Sequence, residues 1–196
     1  MTMSGGSTRK PAGSRDLSSS TALSFLMPVA LVPTVAEQPI LLIYLPPHNA
    51  IKAEVLLTQN GDFTQPLVRQ LFAVPNQSGL WRIVIPVESQ VNAWEIATTY
   101  DWQVTLISKI PGRGQPPTVT GQLHRVAIAP EIESQLHQSS PQDRVALYRS
   151  QNLVYDACVE LDGIRRHDPA NAWAQTTWST WMGDRGGEHL VTAPLI

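Results

Sequence analysis

The sequence predicts a mainly β protein with an α-helical C-terminal part: an antiparallel, immunoglobulin-like β-sandwich followed by a short tetratricopeptide-like helical hairpin. Three observations predict it. Apolar and alternating stretches of strand length fill residues 21–129, and turn residues separate them at near-regular spacing. After Pro130 the apolar period changes from two to three or four. We therefore expect a sandwich of about seven to eight strands over 21–129, with a helical segment over 130–196 packed on it.

Composition limits the protein classes that the chain fits. With 196 residues it supports one medium domain with its own core, and 16 prolines favour turns and strand edges over long helices. The net charge of −2 gives no broad basic surface, so we expect no nucleic-acid partner. A single cysteine, Cys158, excludes an intrachain disulfide. No apolar run reaches the ~18 residues of a membrane span, so we expect no integral membrane span.

The N-terminal region contains a polar stretch and then an apolar block. Residues 1–20 are rich in Gly, Ser and Thr, and we expect a flexible tail there. The block at 22–32 follows basic residues, as in a signal peptide. We interpret it instead as a first strand interrupted at Pro28, because the basic region would be long for a signal peptide. The chain as given is therefore expected to be cytoplasmic.

The central strand is predicted at Ile40–Leu45, a run of six apolar residues between two proline turns. Such a run indicates a strand that is buried on both faces. Apolar and polar residues alternate over 52–58 and again over 100–106, which is typical of half-buried strands. A last strand is expected over 118–128.

The helical segment has clear start signals. Ser140 followed by Pro141 predicts an N-cap and a first helical position. Helices are also expected over 131–137 and 153–166, and Asp168-Pro169 is expected to start another over 170–182.

The spacing of four residues resembles that of a tetratricopeptide repeat, a unit of roughly 34 residues. They are Tyr148, Ala157, Leu161 and Pro169, whereas Val145 stands where the repeat has Gly or Ala. Only one unit and an extra helix are present, so the hairpin needs the sandwich or a partner to pack on. A generic helical hairpin is an equally good interpretation of so few matches.

The last long helix carries a tryptophan stripe. Trp173, Trp178 and Trp181 fall within about 140° of one another on it. We expect them to pack the helices onto the sandwich, because large aromatic side chains are usually buried. An exposed hot spot for a partner protein is the alternative that stays open.

Motifs of catalysis are missing from the sequence. It has no serine elbow, no phosphate-binding loop and no paired zinc-ligand histidines. Cys158 falls on an apolar helix face and is expected to be a buried structural thiol. We therefore assign no catalytic, cofactor-binding or metal-binding residue, and we favour a protein that is not an enzyme.

The favoured function is a non-catalytic binding or scaffolding module with an unknown protein partner. One alternative is a hydrolase-type enzyme with a site at the sandwich edge that uses Asp101, His124 or Arg125. The other is a carbohydrate-binding sandwich, which would need exposed indole rings in a row. Its candidate residues are Trp81, Trp94 and Trp102.

Short segments in a fixed order run through the chain from about residue 13 to residue 196. They include Leu31-Val32-Pro33, Thr34-Val35-Ala36-Glu37, Tyr44-Leu45-Pro46, Tyr100-Asp101-Trp102, Gly121 with Arg125-Val126, Arg144 to Tyr148, Val154-Tyr155-Asp156-Ala157, Leu161, and Arg165 to Pro169. With this set the chain resembles the cyanobacterial domain-of-unknown-function family nine-two-eight.

The resemblance implies no established activity, and it brings no catalytic residue or cofactor. Many members of that family look exported, which implies an exported or periplasmic protein if the true start lies upstream of Met1. Several relatives carry cysteine where Ser108 stands, so a family disulfide is not expected in this chain.

Overall fold

The structure is a computed structural model that describes residues 22–27, 31–59, 61–86, 94–109, 115–184 and 187–196. Strands come first along the described chain and helices follow, which confirms a mainly β protein with C-terminal helices. The predicted tail, residues 1–20, lies outside the described residues. The strands are β1 Ser24–Phe25, β2 Leu31–Thr34, β3 Ile40–Leu45, β4 Ala50–Thr58, β5 Val68–Ala73, β6 Gly79–Val84, β7 Thr98–Ser108 and β8 Thr118–Arg125. The helices are α1 Pro130–Gln138, α2 Pro141–Ser150, α3 Val154–His167, α4 Ala172–Gly183 and α5 Glu188–Val191.

The described strands form two sheets. One has three strands in the order β1-β3-β6, and the other has five in the order β2-β8-β7-β4-β5. Every pairing is antiparallel except that of β2 with β8, which is parallel. The expectation of a wholly antiparallel arrangement is therefore wrong for this pair. The apolar block at the start supplies a strand to each sheet, and β2 lies at a sheet edge, where Pro33 is tolerated.

Strand β3 is buried on both faces, as its continuous apolar run predicts. Leu41, Ile43 and Leu45 belong to the core between the two sheets. Leu42 and Tyr44 point to the opposite face and belong to a second core, which the helices complete. The run is apolar at successive positions because each face of the strand meets a different layer of the protein.

The molecule therefore has three layers, with the three-stranded sheet in the middle. The first core joins the inner faces of both sheets and includes Val55 from β4 and Trp102 from β7. The second core lies between the three-stranded sheet and the helices, where Cys158 and Trp178 are fully buried. The burial of Cys158 agrees with the structural thiol that the sequence predicts.

The helix boundaries follow their capping residues. The Ser140 hydroxyl accepts a hydrogen bond from the Asp143 N–H, which confirms the predicted N-cap of α2. Helix α4 begins at Ala172 and not at residue 170. The Asn171 side chain caps it by accepting from the Ala174 N–H, at 2.9 Å, so Asp168-Pro169 forms the preceding turn.

The C-terminal residues cover the edge of the middle sheet. Leu195 bridges to Leu80 of β6, and the Leu80 N–H donates to the Pro194 carbonyl at 2.7 Å. A side chain at Gly79 would collide with that carbonyl oxygen, so the close approach requires glycine. This segment shields an edge that would otherwise be open to another strand.

Candidate functional site

An open groove lies between helices α2 and α4. It has a volume of about 320 Å³. Helix α4 contributes residues at intervals of three and four, which places them along one helix face. The lining residues are Val145, Ala146 and Arg149 from α2, and Trp173, Thr176, Thr177, Thr180 and Trp181 from α4.

The tryptophan stripe is divided between core and groove. Trp178 is fully buried and its indole N–H donates to the Leu190 carbonyl at 2.9 Å. Trp181 is 9% exposed and reaches the groove from the edge of the core, whereas Trp173 is 38% exposed. The packing role predicted for the stripe is thus confirmed for Trp178 and Trp181 and is wrong for Trp173. Helix geometry explains the split, because Trp178 lies about 140° around the axis from Trp173.

Arg149 is a groove residue that the sequence reasoning missed. Its guanidinium lies over the Trp181 ring, 4.7 Å from the ring centroid, in a cation–π arrangement. In the part of the chain that the structure describes, no carboxylate lies within 4.0 Å of this side chain. Its spacing from Val145, four residues on the same helix, is the signal that could have placed it on the groove face.

Arg144, on the same helix as Arg149, is engaged differently. Its guanidinium meets Glu160 of α3 at 2.6 Å and also donates to the Ser139 carbonyl. This cation therefore holds α2 against α3. Of the two arginines of α2, Arg149 is therefore the one that lines the groove.

A buried carboxylate ties α3 to the middle sheet. Asp162 accepts from Arg166 at 2.8 Å and from Arg82 of β6 at 3.2 Å. Arg166 also donates to the carbonyls of Leu80 and Ile196. These charged groups lie between packed elements and form hydrogen bonds with one another. We therefore interpret the cluster as structural.

A second buried carboxylate joins α3 to the turn after β2. Asp156 accepts from the Thr34 hydroxyl at 2.6 Å and from the Val35 N–H at 3.2 Å. Burial raises the pKa of the Asp156 carboxyl to about 6, although both hydrogen bonds oppose the shift. Next to it, the Tyr155 hydroxyl donates to the Ile40 carbonyl at 2.8 Å. Residues that carry the family resemblance thus form the contact between helix and sheet.

The hydrolase candidates do not converge. Asp101 accepts from the Gln122 amide at 2.7 Å, and His124 Nδ1 lies 3.0 Å from the Thr99 hydroxyl, both on the outer face of the five-stranded sheet. Arg125 follows His124 in the strand, so it points to the opposite face, where it donates to the Trp94 carbonyl. The structure brings Asp101 and His124 to one face and separates Arg125 from them.

The carbohydrate candidates are buried. Trp81, Trp94 and Trp102 all belong to the core between the sheets. The Trp94 indole N–H donates to the Ala36 carbonyl at 2.8 Å. Their rings therefore offer no exposed surface on which a sugar could stack.

The described residues lack two further kinds of feature, a metal-binding cluster and a membrane-spanning helix. Among the described residues, no group of three or more His, Cys, Asp or Glu side chains could hold a metal ion. Within those same ranges, no helix has the length and apolar character needed to cross a membrane.

The comparisons with known proteins define a family without a known activity. The model of the family described as Domain of Unknown Function (DUF928) matches residues 4–195, so the chain belongs to that family. No curated protein matches the chain. A crystal structure of an engineered protein, a Northeast Structural Genomics Consortium target, is similar at 11% identity and a TM-score of 0.37. That match covers 54% of this chain and 20% of the engineered one.

The family assignment confirms the one that the ordered segments indicate, and the function remains unknown. None of these matches adds a catalytic residue, a ligand or a partner.

Proposed function

We propose that the chain is a non-catalytic binding module in which an immunoglobulin-like sandwich carries a tetratricopeptide-like hairpin, with the α2–α4 groove as the docking site for a partner protein. One observation carries the proposal. Trp173 is 38% exposed and lines the same open groove as Trp181. Exposed aromatic side chains in concave sites are frequent anchors of protein–protein binding.

The strand order supports the immunoglobulin-like assignment. The middle sheet holds β1, β3 and β6, and the larger sheet places β8, β7, β4 and β5 side by side. In immunoglobulin domains, strands A, B and E lie in one sheet and strands C, F and G lie in the other. With β2 and β5 taken as additional edge strands, β1, β3 and β6 correspond to A, B and E, and β4, β7 and β8 correspond to C, F and G. None of the described strands corresponds to strand D. Tyr100, near the start of β7, accepts from the Glu95 N–H at 2.6 Å. A tyrosine at this position that bonds to the backbone a few residues upstream is typical of such sandwiches.

The helix contacts support the tetratricopeptide-like assignment. Ala157 and Leu161 are fully buried and Tyr148 is half-buried, at the positions where the repeat packs its two helices. Pro169 lies in the turn before α4. In this arrangement α2 and α4 are the first helices of successive units, and α3 lies between them in the chain.

A paired photo-crosslinking experiment tests the proposal. A photoreactive phenylalanine replaces Thr176 in the groove, and a matched variant carries it at Thr120, on the outer face of the five-stranded sheet. We expect the groove variant to form a discrete adduct with a protein from the source cells, and a peptide from the crosslinked region of that protein to compete for it. Equal labelling from both positions, or no adduct from either, contradicts the proposal.

A further inference from the structure

The charge in the α2–α4 groove is of one sign, positive. Of its eight lining residues, Arg149 is the charged one, and the others are apolar or carry hydroxyl groups. The guanidinium is held on the Trp181 ring at 4.7 Å. A stacked guanidinium keeps the N–H groups along its edge available, and their fork matches a carboxylate. The groove is therefore complementary to a ligand with a negative charge near its Arg149 end.

The dimensions of the groove fit a short extended chain. Trp173 and Trp181 are eight residues apart in α4, which corresponds to about 12 Å along the helix axis. An extended peptide rises by about 3.3 Å per residue, so about four residues span this length. Trp173 offers an apolar surface at one end, and the hydroxyls of Thr176 and Thr177 can bond with peptide groups between the ends. The Thr180 hydroxyl donates to the Thr176 carbonyl at 3.0 Å, so it can only accept from a ligand.

We propose that the groove binds an extended peptide segment that carries an Asp or Glu side chain, with Arg149 recognising the carboxylate and Trp173 packing on an apolar neighbour. The proposal rests on the proposed binding function and names the chemistry of its partner. A side-chain carboxylate suits the site because the groove is open, so an internal segment of a partner can cross it.

Two matched peptide pools test the proposal on the full chain. Both are labelled with fluorescein and have about four variable residues drawn from Leu, Val, Ala and Pro. One pool also contains a single Asp or Glu, and the other has Asn or Gln in its place. We expect fluorescence polarisation to show about fivefold tighter binding of the acidic pool, as for a partly exposed ion pair. Added salt should reduce this preference because it screens the charges.

Variants locate the source of the preference. Arg149→Gln should make the two pools bind equally, whereas Arg149→Lys should restore part of the preference by returning the charge. Lys52→Gln removes the same charge from an exposed site on β4 and should change nothing. Trp173→Ala should weaken both pools. Circular dichroism of each variant verifies folding, which is expected because these side chains are exposed.

The outcomes separate this inference from the proposed function. If both pools bind equally and Trp173→Ala abolishes that binding, the acidic specificity is overturned and the groove remains a peptide-binding site. A preference for the acidic pool that persists in Arg149→Gln overturns the role of Arg149. If neither pool binds, the acidic-peptide inference fails, and crosslinking from Thr176 then decides separately whether the groove has a partner.

Discussion

The two sheets of this protein have opposite outer faces. On the three-stranded sheet, Leu42 and Tyr44 are buried under the C-terminal helices. On the five-stranded sheet, Asp101, Gln103 and Thr105 point outward from β7 and are half-buried at most. The inner faces of the two sheets are alike, since both contribute apolar side chains to one core. The sheets therefore differ mainly in what covers their outer side.

The sequences of the strands account for this difference between the outer faces. β3 is apolar at successive positions because it meets a layer on each side, whereas β7 alternates because it meets a layer on one side only. It follows that the helical segment is part of the folding unit of the middle sheet. Without the helices, Leu42 and Tyr44 would be exposed as an apolar surface.

Substitution of matched outer-face residues tests this contrast most strongly. Leu42→Ala should lower the free energy of unfolding by about 2–5 kcal/mol, because it opens a cavity between sheet and helices. Gln103→Ala, at an outward position of the other sheet, should change it by less than about 0.5 kcal/mol. Urea denaturation of both variants measures the two effects. Equal losses would show that the outer faces are covered alike.

The pH dependence of stability tests the contact of α3 with the end of β2. The folded protein holds a proton on Asp156 up to about pH 6, whereas the unfolded chain releases it near its ordinary pKa of 3.8. Stability from this group is thus present at low pH and is lost as the pH rises through this window. The change is up to about 3 kcal/mol, at about 1.4 kcal/mol per unit of pKa difference.

Asp156→Asn should remove this component, so that the variant gains stability relative to the wild type as the pH rises from about 4 to about 7. Thr34→Val serves as the control. It removes a hydroxyl that lowers the pKa of Asp156, so the slope should persist or steepen. Chemical denaturation over this pH range measures both. An unchanged slope in Asp156→Asn would assign the pH dependence to other groups.

The inner core between the sheets gives a third test. Gly121 of β8 lies opposite Trp102 of β7, and a Cβ on it would come within 2.5 Å of the indole. Gly121→Ala should therefore cost about 1–3 kcal/mol of stability through overpacking. Gly163→Ala, in α3, is the matched control, because its nearest neighbour atom is 3.9 Å away. It should be neutral or stabilising by up to about 1 kcal/mol, since alanine favours helix. Similar losses in both would mean that the Trp102 contact is not the cause.

Local patterns were enough to predict many of the elements. The apolar run of β3, the alternation of β7 and the cap at Ser140 each depend on neighbouring residues, and the structure has them where they were expected. The start of α4 was displaced by two residues, because two capping residues, Asp168 and Asn171, compete in the same turn.

Contacts between distant residues could not be predicted from one sequence. Thr34 and Asp156 are 122 positions apart, and no local pattern reports that they meet. The parallel pairing of β2 with β8 depends likewise on how the chain crosses between sheets. The groove was missed for the same reason, since Arg149 and Trp181 belong to different helices. The tryptophan pattern identified the helix that forms one wall of the groove, α4. The other wall is α2, and it forms a groove only because it packs beside α4.

Trp173 should contribute least to stability, although it is a tryptophan. The residue is 38% exposed and belongs to neither core. Trp173→Ala should therefore lower the free energy of unfolding by about 1 kcal/mol or less, the usual effect of a substitution outside a core. A loss of about 3–5 kcal/mol, as for a buried aromatic side chain, would place the residue in the core. Urea denaturation distinguishes these results. A small effect would mean that α4 packs firmly without this large, partly exposed apolar side chain, and exposed apolar surface of this kind is typical of interaction sites.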